Sequence, residues 1–318
     1  PMFAALGEAL VDLIEHADGR YEPCLGGSVC NFTRAMARQG QHIRYLNPLS
    51  TDTFGARFVD RLRADGVDLG QAPRSPWPTS LAVVSLGPGG VPAYTFHRQH
   101  VADRDGTADE FIARLPAALR LIHTGGLALV PGDWPKVHTV LLAAQLRGAV
   151  VSVDANLRMA VVGDRPADQS AYRNAVQQAL GMAQIVKLSD EDVAAMGWDP
   201  SALADVGQRL LSNPMTQLVA FTLGGDGAML MTRQACVQLP VPAAVDVVDT
   251  VGAGDCFQAG LLAWLAAENL LMADALGELT SSDLEAALRH AMACAALNVQ
   301  RKGCEPPSWE ETRAWLCP

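Results

Sequence analysis

The chain has 318 residues, 49% of them hydrophobic, and a formal charge of −10 at pH 7. That is enough apolar material for one large core, and too acidic a balance for a protein that covers phosphate backbones, a task that needs a basic face. Nucleic acid is therefore not an expected partner, whereas a phosphorylated small ligand stays open, because glycine turns, helix N-termini and a few local basic residues can hold one.

The cysteines form no C-x-x-C pair, so neither a zinc site nor a disulfide framework is expected, and buried reduced thiols in a cytoplasmic protein are the simpler reading. The longest apolar stretch, Ala259 to Ala267, is far shorter than the roughly 20 residues that span a bilayer, so no membrane partner is expected. No basic region followed by a long apolar core opens the chain, so no secretory signal is visible.

In chain order, Leu10 to Ile14 reads as a strand within Glu8 to Leu25, a stretch with strand-like runs and no helix. Val29 to Gln39 follows as a helix with Ser28 as N-cap and Gly40 ending it, and Thr51 or Asp52 opens a second helix that Gly66 closes. Pro78 to His100, with the run Leu81 to Leu86, again lacks a helix. Beyond it strands and helices alternate: Val150 to Val153 precedes the helical pattern Ala167 to Leu180, Ile185 to Leu188 precedes the segment after Ser189, and Leu218 to Leu223 is a further strand. Alternation of this kind implies parallel strands with crossover helices. The expected fold is α/β, a doubly wound and mostly parallel sheet flanked by helices, with residues 1–318 as a single domain. The two exceptional stretches, about 8–25 and 78–100, are expected to form a small β lid over the carboxyl edge of that sheet, where loops of open α/β folds gather ligands.

Val245 to Val248 reads as a strand running into Asp249-Thr250-Val251-Gly252-Ala253-Gly254-Asp255, after which Cys256 to Ala267 has the spacing of a buried helix. The small residues Gly252, Ala253 and Gly254 let backbone N–H groups approach an anion, and the positive helix end favours negative charge on a transferring phosphoryl group. Asp255, in the first turn, suits either a helix cap or a base that receives a hydroxyl proton. The helix dipole is expected to keep its carboxylate ionised. A weak base is sufficient for phosphoryl transfer, where the proton moves late and positioning lowers most of the barrier. Other nucleotide motifs fail: no lysine completes a P-loop, and Phe257 occupies the position where G-x-G-x-x-G requires its third glycine.

With Gly26-Gly27-Ser28-Val29-Cys30-Asn31 opening the first helix and D-T-x-G-A-G-D more than half the chain later, the sequence resembles the ribokinase-like (PfkB) sugar kinase family from about Phe3 to Trp315. The resemblance implies an ATP-dependent carbohydrate kinase with Asp255 as base and Gly252, Ala253 and Gly254 as anion hole. It implies that Asp12, Gly26, Gly27 and Asn31 contact sugar hydroxyls. Without it, Asp12 would read as an outward-facing solvated residue and Asn31 as a polar residue of a helix's first turn. Asp154-Ala155-Asn156-Leu157-Arg158 resembles the D-x-N-x-R segment of fructokinases and ketodeoxygluconate kinases, with Arg158 on phosphate and Lys187 within reach of it.

Where many relatives carry N-x-x-E to organise Mg2+ through water, this chain departs, with Ser189 and Asp192 at the ends. Glu191 and Asp192 are the candidates for that role, and a solvated helix start is an equal reading. Thr222, Gly224, Gly225 and Gly227 resemble the family's nucleotide loop, although alone they read as a hairpin turn. The helix Leu284 to Val299 is expected to wall an adenine pocket through Met292 and Ala295, for both of which core packing is the alternative. Asp249, the carbonyl of Val251 and the segment around Gly303 resemble the family's monovalent-cation loop and suggest K+. Lids of this family often pair between subunits, which points to a homodimer.

Gly7-Glu8-Ala9-Leu10-Val11-Asp12, His97-Arg98 with Ala102-Asp103, and His123-Thr124-Gly125 are similar to bacterial fructokinases. Fructose phosphorylated at its 6-hydroxyl is thus the first expectation. Ketodeoxygluconate is the second, since Arg98 would pair with its carboxylate, but the aromatic pair expected in that enzyme's lid is absent. A catalytically silent sugar- or nucleotide-binding regulator is the reading from another class, favoured by the altered Ser189 to Asp192 segment and opposed by the intact Asp255 turn.

Overall fold

Strands buried on both faces need a layer on each side, and this chain has several: all of Val150–Asp154 is buried, and Leu218–Thr222 is buried except at its last residue. The computed structural model describes residues 2–71 and 74–317. Its strands are β1 (Met2–Leu6), β2 (Leu10–Glu15), β3 (Tyr21–Gly26), β4 (Ile43–Tyr45), β5 (Ser80–Leu86), β6 (Pro92–His97), β7 (Leu119–Gly125), β8 (Val150–Asp154), β9 (Ile185–Ser189), β10 (Leu218–Thr222), β11 (Ala228–Met231) and β12 (Cys236–Leu239). Its helices are α1 (Ser28–Arg38), α2 (Thr53–Ala64), α3 (Ala108–Ala113), α4 (Trp134–Leu146), α5 (Pro166–Gly181), α6 (Asp190–Ala195), α7 (Leu203–Leu211), α8 (Ala253–Ala267), α9 (Ala273–Gly277), α10 (Ser281–Val299) and α11 (Trp309–Leu316). None of the described helices is long and apolar enough to cross a membrane.

The main sheet is eight-stranded in the order β12-β11-β10-β9-β8-β7-β1-β4. It is parallel from β4 to β10 and closes with the antiparallel pairs β10–β11 and β11–β12. Alternate residues of one strand reach opposite layers. Phe3 and Ala5 of β1 join the core beneath α1, α2, α8 and α10, while Ala4 and Leu6 join the one beneath α3, α4, α5 and α7. This is the expected doubly wound α/β architecture. The chain leaves β1 towards β4 on one side, and β7 later pairs on its other side, so the topological switch and its ligand crevice lie at the carboxyl ends of β1 and β7.

The smaller sheet has the order β3-β2-β5-β6, so the two helix-free stretches pair with each other, β2 lying parallel to β5. Asp52 caps α2 by accepting from the Gly55 N–H at 2.8 Å, and its carboxylate also accepts from the N–H and hydroxyl of Thr79, which tethers the entry to β5. Such a cap contributes about 0.5–2 kcal/mol.

Three local expectations are corrected. Val245 to Val248 is not a strand: the N–H groups of Val248 and Asp249 both donate to the Val299 carbonyl at the end of α10, leaving the segment no sheet neighbour. The N-cap of α1 is Gly27, at φ +98°, and Ser28 is already helical. A Cβ at Gly27 would lie 2.6 Å from the Glu8 carbonyl oxygen, so the turn requires glycine. The cysteines are all free, but Cys236 and Cys317 are exposed rather than buried.

Candidate active site

Two adjoining cavities lie at the carboxyl edge of the main sheet. The first, of about 600 Å³, is bounded by Asp12 of β2, Gly27, Ser28 and Asn31 at the start of α1, Tyr94 and Phe96 of β6, and the turn Thr250 to Asp255. The second, of about 440 Å³, is bounded by Thr222, Gly224, Gly225 and Gly227 on one side and Met292, Ala295 and Val299 of α10 on another. Arg158, Lys187, Glu191 and Gly254 border both, so the glycine turn stands where the cavities meet.

The turn works because of its backbone. Gly252 has φ +76°, and a Cβ there would lie 2.4 Å from the Cys304 sulfur, so only glycine fits beneath the helix start. Helix α8 begins at Ala253, three residues earlier than its apolar spacing suggests, which makes Asp255 its third residue. A Cβ built on Gly254 would lie 3.2 Å from Lys187 Nζ, which locates that ammonium against the turn.

The Asp255 carboxylate is held from α1: Ser28 Oγ donates to Oδ1 at 2.6 Å, and Asn31 Nδ2 donates to Oδ2 at 3.3 Å. Burial raises its pKa, opposed by the Ser28 hydrogen bond, Lys187, the Asn31 amide and Arg158. Desolvation thus works against the expected effect of the helix end and makes the group a stronger base than that end alone would. The Oδ1 atom of Asn31 is buried without a partner, an acceptor facing the cavity that a hydroxyl could satisfy.

Lys187 Nζ donates to Asp154 Oδ2 at 3.0 Å, both side chains being buried. Burial pushes Asp154 up to about 6, and the Lys187 ammonium pulls it back down. Burial alone would lower Lys187, but Asp154, then Asp192 and Asp255, outweigh it and hold the ammonium charged. Asp12 is raised to about 6 by burial, countered by Arg158. Gly26 does not border the cavity; it stands behind Asp12, whose Oδ2 would lie 2.9 Å from a Cβ there.

One expected ligand residue is turned elsewhere, and another is shared with a neighbouring loop. The Arg98 guanidinium is buried and donates to Asp103 Oδ2 and Ser80 Oγ, both at 2.9 Å, and it borders neither cavity. Asp192 accepts from the backbone N–H groups of Asn156, Leu157 and Ser189, while its own N–H donates to Ser189 Oγ. Ser189 to Asp192 is therefore a capping box that also pins Asn156 and Leu157, and Asp192, which borders the second cavity, keeps one acceptor position on Oδ1 beside the three bonds it accepts. Glu191 is exposed and borders both cavities. Among the described residues no group of three or more His, Cys, Asp or Glu could hold a metal ion directly.

The Asp249 to Gly303 loop is closed by its own bonds. Val251 N–H and Gly303 N–H donate to the two oxygens of Asp249, and Asn298 Nδ2 donates to the Val251 carbonyl. Each of those oxygens keeps a further lone pair, so the donor set fits a weakly held monovalent cation.

Sequence reasoning missed three groups. Ser28 was assigned to capping. Tyr94 escaped notice although it stands two residues before Phe96 in a strand, the spacing that puts both on one face; their rings stack with centroids 6.3 Å apart. The segment Val241 to Val247 lines the second cavity as coil, which no periodicity announces.

The chain matches the family described as "pfkB family carbohydrate kinase" over residues 2–311. The fructokinase of Rhizobium leguminosarum bv. trifolii is 30% identical over 274 residues, covering 85% of this chain and 81% of that protein. The crystal structure of a Xylella fastidiosa fructokinase with bound ATP superposes with a TM-score of 0.86 at 27% identity, covering 99% of this chain and 98% of that one. A double mutant of the Vibrio cholerae O395 fructokinase, in a form with fructose, ADP and potassium ion bound, gives 0.81 at 26% identity over 99% and 98%.

Proposed function

This chain belongs to the pfkB family of carbohydrate kinases and is an ATP-dependent sugar kinase; from that premise we propose that its sugar is D-fructose and its product fructose 6-phosphate. The first cavity is the sugar end and the second the nucleotide end. Asp255 takes the proton as the sugar's hydroxyl oxygen bonds to the γ-phosphorus, the bond from that phosphorus to the β,γ-bridging oxygen breaks, and ADP leaves. Charge gathering on the transferring group meets the N–H groups of Gly252 and Gly254 and the Lys187 ammonium, while the expected third donor, the Ala253 N–H, is bonded to the Thr250 carbonyl at 3.2 Å and would have to leave it. Because Ser28 engages Oδ1 closely and Asn31 engages Oδ2 only at 3.3 Å, Oδ2 is the better proton acceptor.

At the nucleotide end, Thr222, Gly224, Gly225 and Gly227 border the phosphates and Met292, Ala295 and Val299 the base. A magnesium ion bound with ATP would supply phosphate charge neutralisation, with Glu191 orienting its water. The Asp249, Val251 and Gly303 loop would hold K+, and substituting Na+ should lower turnover. The lid's exposed Tyr21, Leu86 and Val91 suit pairing with a second copy, which sedimentation velocity would detect.

The observation that carries the choice of a neutral ketose is the withdrawal of Arg98 into an ion pair with Asp103. It removes the guanidinium that would pair with a carboxylate substrate and leaves Glu8, Asp12 and Asn31 at the sugar end, groups that bond hydroxyls. The names of the Rhizobium and Xylella relatives agree with that choice. ADP release with magnesium, compared across fructose, ketodeoxygluconate, ribose and adenosine, tests it. Preference for ketodeoxygluconate would overturn the neutral-ketose reading, and saturable binding of each sugar without ADP release would make the protein a silent regulator.

A further inference from the structure

We propose that Ser28 is a positioning residue for Asp255, registered to the lid by Glu8, so that the base is aimed from the place where the lid joins the core. The inference rests on the reading of Asp255 as base. Glu8 lies between β1 of the core and β2 of the lid, and Gly27 and Ser28 lie where the chain returns from β3 to α1. Ser80 opens β5 and Arg98 follows β6, so Glu8, Ser28, Ser80 and Arg98 stand at the passages between the two sheets.

They are joined by polar contacts. The Ser28 N–H donates to Glu8 Oε1 at 3.1 Å, and the Cys30 N–H donates to the Glu8 carbonyl at 3.2 Å. Glu8 is in turn attracted by Arg98, which donates to Ser80 and Asp103. Because Glu8 satisfies the Ser28 and Cys30 N–H groups in the first turn of α1, the Ser28 hydroxyl is free of a capping role, and it makes the 2.6 Å bond to Asp255 Oδ1 across 227 positions of sequence. A serine at a helix start whose backbone is capped by another residue, and whose hydroxyl reaches a carboxylate on a different helix, has a role in the site rather than in the helix.

Asp255 faces Ser28 and Asn31 from α1, Lys187 from β9, Arg158 from the loop after β8, Asp154 from β8 and Glu8 from the lid junction. Of these, the Ser28 hydroxyl is the largest influence opposing the rise that burial causes. Ser28→Ala should therefore move the acid limb of kcat/KM to higher pH and lower kcat by about 10- to 100-fold, with KM for ATP unchanged, because the carboxylate loses its orientation. Ser28→Thr keeps the hydroxyl and should restore the limb.

The midpoint of the Asp255 carboxyl, followed by 13C NMR in the substrate-free protein, should rise in Ser28→Ala and needs no turnover. Wild-type kcat and limb in Ser28→Ala, or a carboxyl midpoint that does not move, overturns the inference while the base reading stands if Asp255→Asn is inactive. A fully active Asp255→Asn overturns both. A different preferred sugar leaves the inference intact, since the limb is read with whichever sugar is turned over.

Discussion

The sugar end of the cleft is walled by Asp12, Asn31, Asp154 and Asp255, the last two already engaged by a donor in the protein, whereas the nucleotide end is lined largely by Val241, Pro242, Val245, Val247, Phe257, Met292 and Val299. The two ends therefore fail differently. At the polar end the identity of each atom matters, because a buried charge that loses its partner cannot be rehydrated. At the apolar end volume and shape matter, and one hydrocarbon side chain substitutes for another at modest cost. The glycine turn and Lys187 belong to both ends, which is where the transferring group must sit.

The largest effect expected from this contrast is at Asp255. Asp255→Asn keeps shape and removes the proton acceptor, so kcat should fall roughly 10²- to 10⁴-fold while the Kd for ATP stays put. Steady-state rates with ATP binding by calorimetry check both halves, and weakened ATP binding would break the division between the ends.

Next is Lys187, whose loss should damage stability as well as turnover. Lys187→Met leaves Asp154 buried and unpaired, a cost of about 3–5 kcal/mol read as a fall in Tm. Adding Asp154→Leu should recover most of that Tm and none of the turnover. Recovery of activity in the double variant would mean the pair serves folding alone.

A smaller effect is expected at the apolar end. Met292→Trp adds bulk where Met292 is nearly buried beside Val299, so KM for ATP should rise by about tenfold with KM for the sugar unchanged. A parallel rise in both constants would show that the cavities are one site rather than two.

The same contrast decides how much was legible in the sequence. The α/β alternation, the two helix-free stretches and the Gly26 to Asn31 and Asp249 to Asp255 motifs are local patterns, and the structure brings Asp12, Asn31, Lys187 and Asp255 to one cavity. What escaped depends on partners distant in sequence. Arg98 reads as a ligand until Asp103 and Ser80 claim it, and nothing near Asp192 in the sequence announces that the Asn156 loop donates to it. Val245 to Val248 has strand composition, but whether a strand forms depends on a neighbour that α10 replaces. Ser28 has the composition of a cap, and only Glu8, twenty residues earlier, shows that the cap is already supplied.

Glu8 offers the subtlest way to sharpen the comparison, through pH. Burial raises its carboxyl from 4.5 to about 7, with Arg98 pulling the other way and Asp103 and Asp255 adding to the rise. The folded protein thus holds this proton more tightly than the unfolded chain. Its stabilising contribution is full below about 4.5 and is lost as the pH rises through about 7. Glu8→Gln stays neutral throughout, keeps an oxygen for the Ser28 N–H, and leaves Arg98 its partner Asp103. The Tm of the variant relative to wild type should therefore climb between about pH 5 and 8 and then level off, as calorimetry across that range would record. Met292→Trp, which changes volume and no charge, should show a Tm difference independent of pH. A flat difference for Glu8→Gln as well would mean that Glu8 is not titrating in this window, and that the two ends differ in shape alone rather than in how they carry charge.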